Sequence, residues 1–195
     1  MTQRVLVING HPDPSPERLC SALAAAYCEG ATRSGKVVRR IDVGALDVPF
    51  IRSAEEFESG QLSAAMLEAQ AAVAWADHLT IIHPLWLGGP PAMLKAFLEQ
   101  VFRYGFAIPK PGGAGGVAGL LKGRSARLIV TMGMPAVVYR LVFGAFGVRA
   151  IERGVLWLSG VRPVRHTLFG GVGGAPAARY GAWVEQVRAM GARGA

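Results

Sequence analysis

A chain of 195 residues that is 51% hydrophobic and 17% charged is long enough to bury one sizeable core, and it reads as a single domain over residues 1–195. Arg, His, Pro or Gly interrupts every apolar run long enough to span a bilayer, and the early strand-like start MTQRVLVING lacks the layout of a signal peptide. The net charge of +8 is uneven: residues 1–109 carry 9 Lys/Arg against 11 Asp/Glu, and residues 110–195 carry 12 against 2. The arginines are scattered singly, so the options are a solvated basic surface or an approach to an anionic cofactor, and no nucleic-acid partner is expected.

Arg4 to Asn9 (RVLVIN) is a strand of the kind buried on both faces of a parallel sheet. Gly10 to Pro16 is a loop, with Ser15 and Pro16 suited to the N-cap and first position of a helix. That helix buries Leu19, Leu23, Ala26 and Tyr27 and stops near Gly35. Cys20 and Cys28 on it are badly spaced for a mutual disulfide, which fits a reduced, cytoplasmic protein. No Cys/His cluster has zinc-site spacing, so no metal is expected. Lys36 to Val43 is the second strand, completing a right-handed βαβ unit.

Residues 44–60 read as a long irregular connection. Leu62, Met66, Ala69 and Val73 mark the apolar face of a second helix. Asp77 to Ile82 is a third strand. It runs into His83 to Phe102 (HPLWLGGPPAMLKAFLEQVF), where an exposed Trp86 lies in a Gly/Pro turn. Pro91 suits the first turn of the helix whose apolar face is Leu94, Phe97, Leu98, Val101 and Phe102. Residues 110–119 are Gly-rich and read as a mobile loop bordering the site. The G-x-G-x-x-A match at Gly113, Gly115 and Ala118 follows no strand and is not a dinucleotide fingerprint. Ser125 to Thr131 is the fourth strand and ends in the turn Thr131 to Pro135. Val148 to Ser159 is a helix capped by Gly160, although Gly154 weakens it. Val161 to Phe169 is the fifth strand, and a last helix turns Tyr180, Trp183, Val184 and Val187 inward.

These elements specify an α/β fold: a doubly wound, five-stranded parallel sheet, order 2-1-3-4-5, with helices on both faces. In that order the loops 10–18, 83–91 and 131–139 leave the carboxyl ends of their strands around the switch point, where ligands bind. The first loop opens a helix N-terminus that favours phosphate, and His11, Ser15 and Arg18 add donors. The other two offer an apolar, aromatic slot with backbone amides, suited to a flat ring with polar edges. No G-x-x-x-x-G-K-[ST] occurs, which disfavours a nucleoside triphosphate. Alternative roles stay open: His11 or Ser15 as helix caps, Arg18 as a surface arginine, Trp86 in the core or a dimer contact, Thr131 as a plain strand end. His78, His83 and His166 read as structural, and Asp42 as a turn cap.

The residues also carry a resemblance. Pro84-Leu85-Trp86, Pro91 to Lys95, Val101-Phe102 and Gly105 to Ala107 resemble the P-L-x-W, P-A-x-L-K, R-V-F and G-x-F-A pattern of the NAD(P)H:quinone oxidoreductase family of flavodoxin-like flavoproteins. Gly10-His11-Pro12 with Ser15 resembles its phosphate loop, and Thr131-Met132-Gly133 with Tyr139 its T-T-G-G loop and following tyrosine. The resemblance implies FMN or FAD, NAD(P)H as donor, a quinone or similar small aromatic acceptor, and a homodimer with sites at its interface. It implies phosphate-loop contacts from His11, Ser15, Glu17, Arg18 and Leu19, ring contacts from Pro84, Leu85, Trp86 and Leu87, and pyrimidine-edge contacts from Thr131, Met132 and Gly133. Tyr139 would be a donor at the flavin edge. Azo- or nitro-compound reduction, or a regulatory role in a potassium-efflux system, would use the same scaffold. Glu17 and Arg18 replace the family's frequent Phe-Asn pair, Met134 replaces its second glycine, and the histidine partner of the tyrosine is missing from the region of Gly144 to Phe146.

Overall fold

The three most apolar segments become the three central strands, because a parallel sheet clad on both sides leaves no face for polar side chains. In the computed structural model, which describes residues 2–110 and 119–194, these are β1 (Arg4–Asn9), β3 (His78–Pro84) and β4 (Ser125–Met132). The more polar β2 (Val37–Asp42) and β5 (Val164–Gly170) form the edges. The order is β2-β1-β3-β4-β5 and every pair is parallel, as the sequence predicted.

Alternation along the strands sends side chains to two layers. Val5, Val7, Ile82 and Ile129 pack with Leu23 and Tyr27 of α1 (Leu19–Arg33) and with Trp183 and Val187 of α7 (Ala177–Arg193). Leu6, Ile8, Ile81, Leu128 and Val130 face Met66 and Val73 of α3 (Ala64–Trp75), Leu94 and Phe97 of α4 (Ala92–Val101), and Val148 of α6 (Phe146–Ile151). Each such buried side chain contributes about 2 kcal/mol relative to exposure. Between α1 and α7 the backbones nearly touch: a Cβ on Gly30 would stand 1.9 Å from the Arg188 carbonyl oxygen, and one on Gly191 2.1 Å from that of Tyr27.

Several boundaries differ from the sequence reading. Helix α1 begins at Leu19, three residues past the predicted Pro16, and its N-cap Arg18 makes no side-chain cap bond. Ser15 caps only the turn before it. Residues 44–60 are not irregular throughout: a 3-10 turn spans Val43–Ala45 and a short helix, α2, spans Ala54–Ser59. Ser53 Oγ accepts the Glu56 N–H at 3.0 Å, and the Glu56 carboxylate accepts the Arg52 N–H at 2.9 Å. This capping pair was legible in Ser53-x-x-Glu56. The buried Arg103 guanidinium donates to the carbonyls of Glu56 and Phe57 and ties α2 to the end of α4.

The turn after β4 contains another helix, α5 (Ala136–Leu141), which carries Tyr139. The helix expected over Val148 to Ser159 is α6 followed by a π-helical stretch, Glu152–Trp157, around Gly154. Gly160 ends it at φ 90°. Strand β5 starts at Val164, after Pro163 rather than before it. Asp42 caps no turn; it accepts from Asn9 Nδ2 at 2.9 Å and pairs with Arg40. Cys20 and Cys28 are both free thiols. Gly113, Gly115 and Ala118 lie outside the described residues. Among the described residues, no helix is long and apolar enough to cross a membrane.

Candidate functional site

The carboxyl ends of β1, β3 and β4 lie side by side, with Asn9 level with Ile82 and Pro84 level with Thr131. The three loops that leave them are tied together. The Gly10 amide donates to the Ile82 carbonyl at 2.7 Å, and the Leu85 amide to the Thr131 carbonyl at 2.7 Å. The His11 ring stands edge-on to Trp86, centroids 5.9 Å apart.

The first loop is organised by two residues the sequence reading overlooked. Asn9, buried at the end of β1, donates to Asp42 at 2.9 Å and to Ser21 Oγ at 3.3 Å, and its Oδ1 accepts the His11 amide at 3.3 Å. A polar residue closing an apolar strand was the available signal. Asp13 accepts the Ser15 amide at 2.9 Å and the Arg18 Nε at 2.6 Å. That Asx turn was signalled by Asp-x-Ser. These donors hold the Asp13 carboxyl below its usual range, the Ser15 amide contributing most and Arg18 next. His11 Nδ1 lies 3.0 Å from the Asp13 amide and 3.1 Å from the Asp13 carbonyl: unprotonated it accepts from the amide and leaves Nε2–H to donate outward, and protonated it donates to the carbonyl. Burial lowers the His11 pKa, against the raising effect of its backbone contact with Asp13.

The predicted phosphate-loop residues therefore separate. Ser15 accepts the Glu17 amide with its Oγ at 3.3 Å, and Arg18 is an exposed ion-pair partner of Asp13. The Leu19 side chain packs into the α1 layer, so toward the loop this residue has only its backbone amide to offer. With no side-chain cap at Arg18, the first amides of a fifteen-residue helix remain available to an anion.

The second loop is a tight turn. Trp86 N–H donates to Gly89 O at 2.9 Å and Gly89 N–H to Trp86 O at 3.0 Å. Trp86 is half exposed and Leu87 fully so, whereas Pro84 is buried in the last position of β3 and Leu85 packs on the core. Of the four residues expected at the ring, Trp86 and Leu87 therefore stand open to the surface, while Pro84 is covered. Behind the turn an apolar cavity of about 500 Å³ reaches α6, lined by Trp86, Leu87, Pro91, Lys95, Ile151 and Val155. A cavity of about 620 Å³ beside Arg153, Trp157 and Arg162 includes no residue of the three loops.

The third loop offers backbone more than side chain. Thr131 turns its hydroxyl toward Cys20 Sγ at 3.5 Å, and Met132 is buried in the core. Gly133 is exposed, with open space where a Cβ would stand. Tyr139 is 1% exposed, and its hydroxyl is spoken for on both sides: it donates to Gly88 O at 3.1 Å and accepts the Gly147 amide at 3.1 Å. A phenol has one proton to give, so Tyr139 would serve as the expected flavin-edge donor only by releasing Gly88 O. Arg124 and Arg127 also lie away from the site. They sit before and near the start of β4, donating to Ala74 O and to Thr167 Oγ1.

Residues 3–192 match the family described by the flavodoxin-like fold. The chain is 30% identical over 155 residues to a ribosyldihydronicotinamide dehydrogenase-like protein of Penicillium crustosum, covering 67% of this chain and 57% of that one. It is 31% identical over 116 residues to the human ribosyldihydronicotinamide dehydrogenase [quinone], covering 60% and 46%. It thus spans about half the length of these curated relatives. The solved NAD(P)H:quinone oxidoreductase from Methanothermobacter marburgensis superposes with a TM-score of 0.80 over 99% of this chain and 97% of that chain. At 22% sequence identity the likeness is one of fold alone.

Proposed function

The chain belongs to the flavodoxin-like fold family, and from that premise we propose that it is a flavin-dependent NAD(P)H:quinone oxidoreductase. The observation that carries this reading is the meeting of an uncapped helix N-terminus with an exposed aromatic turn on one sheet edge, joined through His11 and Trp86. One end suits a phosphate and the other a flat ring, and open backbone at Gly133 suits the ring's polar edge. These features fit FMN, or the FMN half of FAD. The names of the two curated relatives support the same redox class.

When bound, the flavin would supply two-electron chemistry, taking a hydride from NAD(P)H and passing it, with a proton from solvent, to a quinone that becomes the hydroquinone. The protein's own part is binding and orientation. The amides of Leu19 and Cys20, with His11 Nε2–H and the hydroxyl of Ser15, would hold the phosphate; Arg18 would join them on leaving Asp13. Trp86 and Leu87 would flank the ring, and the backbone at Met132 and Gly133 would meet its pyrimidine edge.

We assign the acceptor to the small quinones and the active form to a homodimer. The support for the dimer is an apolar patch in which Val137, Leu141, Val142, Phe143 and Phe146 are all exposed. A monomer seldom leaves such a cluster to water. Unpaired Cys20 and Cys28 support a cytoplasmic setting.

The test is an absorption spectrum of the purified protein, followed by NADPH oxidation with and without menadione. A yellow protein, or one that takes up FMN or FAD, with menadione-dependent turnover is expected. A colourless protein that binds neither flavin at micromolar concentration ends the reading. Sedimentation at micromolar concentration reads the dimer in the same preparation.

A further inference from the structure

The Trp86 turn is held in an unfavourable backbone conformation. Its two central residues both have positive φ, 48° at Leu87 and 82° at Gly88. Together with its closing hydrogen bonds this makes a type I′ turn, which normally takes Asn-Gly or Gly-Gly. Leucine rarely adopts that region. Leu87 is also fully exposed, so no packing of its own side chain holds it there. Something else must fix the turn.

The Tyr139 hydroxyl supplies the restraint. The outward carbonyl of Gly88 accepts the Tyr139 hydroxyl at 3.1 Å, and the same hydroxyl oxygen accepts the Gly147 amide at 3.1 Å. One buried group therefore joins the turn, α5 and the first turn of α6. Gly147 makes the approach possible: a Cβ there would stand 2.3 Å from Gly88 O and 2.7 Å from Gly89 Cα. Both contacts are backbone, which cannot give way as a flexible side chain can.

We propose that Tyr139 is a positioning residue that locks the Trp86–Gly89 turn onto α6, with Gly147 as the other half of the lock. Trp86 and Leu87 are thereby presented to the bound ring as one fixed face. The last step rests on the flavin reading; the lock itself is a property of the protein without cofactor.

The experiment uses Tyr139→Phe, which keeps the buried ring and removes both hydrogen bonds, and Gly147→Ala, which keeps the hydroxyl and displaces the turn. Amide hydrogen exchange is followed in the apo protein for the segment 84–91 and, as control, for β1. Each variant should speed exchange in the turn about tenfold, roughly one lost hydrogen bond's worth of local stability, with β1 unchanged. Flavin binding, read by fluorescence titration, should weaken about tenfold in both, and the double variant should be less than additive. Hydride transfer at saturating flavin, read by stopped flow, should stay within about threefold, since the reacting atoms have lost no contact.

Unchanged exchange in the turn of Tyr139→Phe overturns the lock. So does a hundredfold loss of hydride transfer confined to Tyr139→Phe with flavin still bound, which would make the phenol a direct donor. If the unmodified protein binds no flavin, the flavin reading falls, and the exchange measurement still decides the lock.

Discussion

The imidazole of His11 meets the indole of Trp86 edge-on, at 80° between planes. His11 belongs to the loop after β1 and Trp86 to the turn after β3, so this single contact couples the proposed phosphate end to the proposed ring end. The ring nitrogen Nδ1 is held against the Asp13 backbone, near both its amide and its carbonyl, which sets the orientation from which the edge contact follows.

The first prediction concerns that pair. His11→Ala and Trp86→Ala should each weaken flavin binding by about tenfold or more. The pair should show a coupling of about 1 kcal/mol in a double-variant cycle, the usual worth of an aromatic contact. Fluorescence titration of the four proteins measures it, and strict additivity would show that the two loops act independently.

A second prediction concerns acid. His83 is buried in β3, where Nδ1 bonds Pro84 O at 2.9 Å and Nε2 has no hydrogen-bond partner among the described residues. Burial pushes its pKa down to about 4. The lowered value means that the folded protein keeps the ring neutral while the unfolded chain binds a proton. Its stabilising contribution is therefore complete above pH 6.5 and is lost as the pH falls from there through 4. The loss amounts to about 3 kcal/mol. His78, also pushed to about 4 by burial and then by Arg127 and Arg165, adds a loss of the same sign. His83→Phe should flatten the curve and raise stability at pH 5 relative to the parent. Urea unfolding at pH 7.5 and pH 5 reads both quantities; an unchanged slope would mean that His83 does not drive the acid loss.

A third prediction concerns the α1–α7 contact. Gly30→Ala or Gly191→Ala would place a methyl group on carbonyl oxygens at 1.9 Å and 2.1 Å. The helices must then separate, and each change should cost about 3 kcal/mol, in the range of severe overpacking. Gly181, with nothing near its missing Cβ, is the control, where alanine in the same helix should stabilise slightly. Thermal melting of the three variants separates the two behaviours.

A fourth prediction concerns the electron donor. With Arg124 and Arg127 at the far edge, the exposed Arg140, Arg149 and Arg153 on α5, α6 and the π-helical stretch are left to favour the extra phosphate of NADPH. NADPH should have the higher kcat/KM, salt should narrow the gap by screening, and Arg149→Glu should narrow it by about threefold to tenfold. Equal kcat/KM for both donors at low salt would remove the idea.

The sequence by itself determined the sheet and its order. Apolar runs such as VLVIN and HLTII can only be buried on both faces, and alternation with amphipathic helices leaves few ways to wind them. It also located the three loops at one edge, because each follows directly on a strand. What only the tertiary structure decided is which groups in those loops remain available. Arg18 is held by Asp13, Thr131 turns to Cys20, and the Tyr139 hydroxyl is taken by Gly88 and Gly147. Each of these depends on which polar partner comes within about 3 Å once the chain has packed, a distance that spacing along the chain does not encode. The short helices α2 and α5 showed no apolar period because six residues make too few turns: α2 buries no residue and is held by its Ser53 cap and by Arg103, and α5 buries only Tyr139.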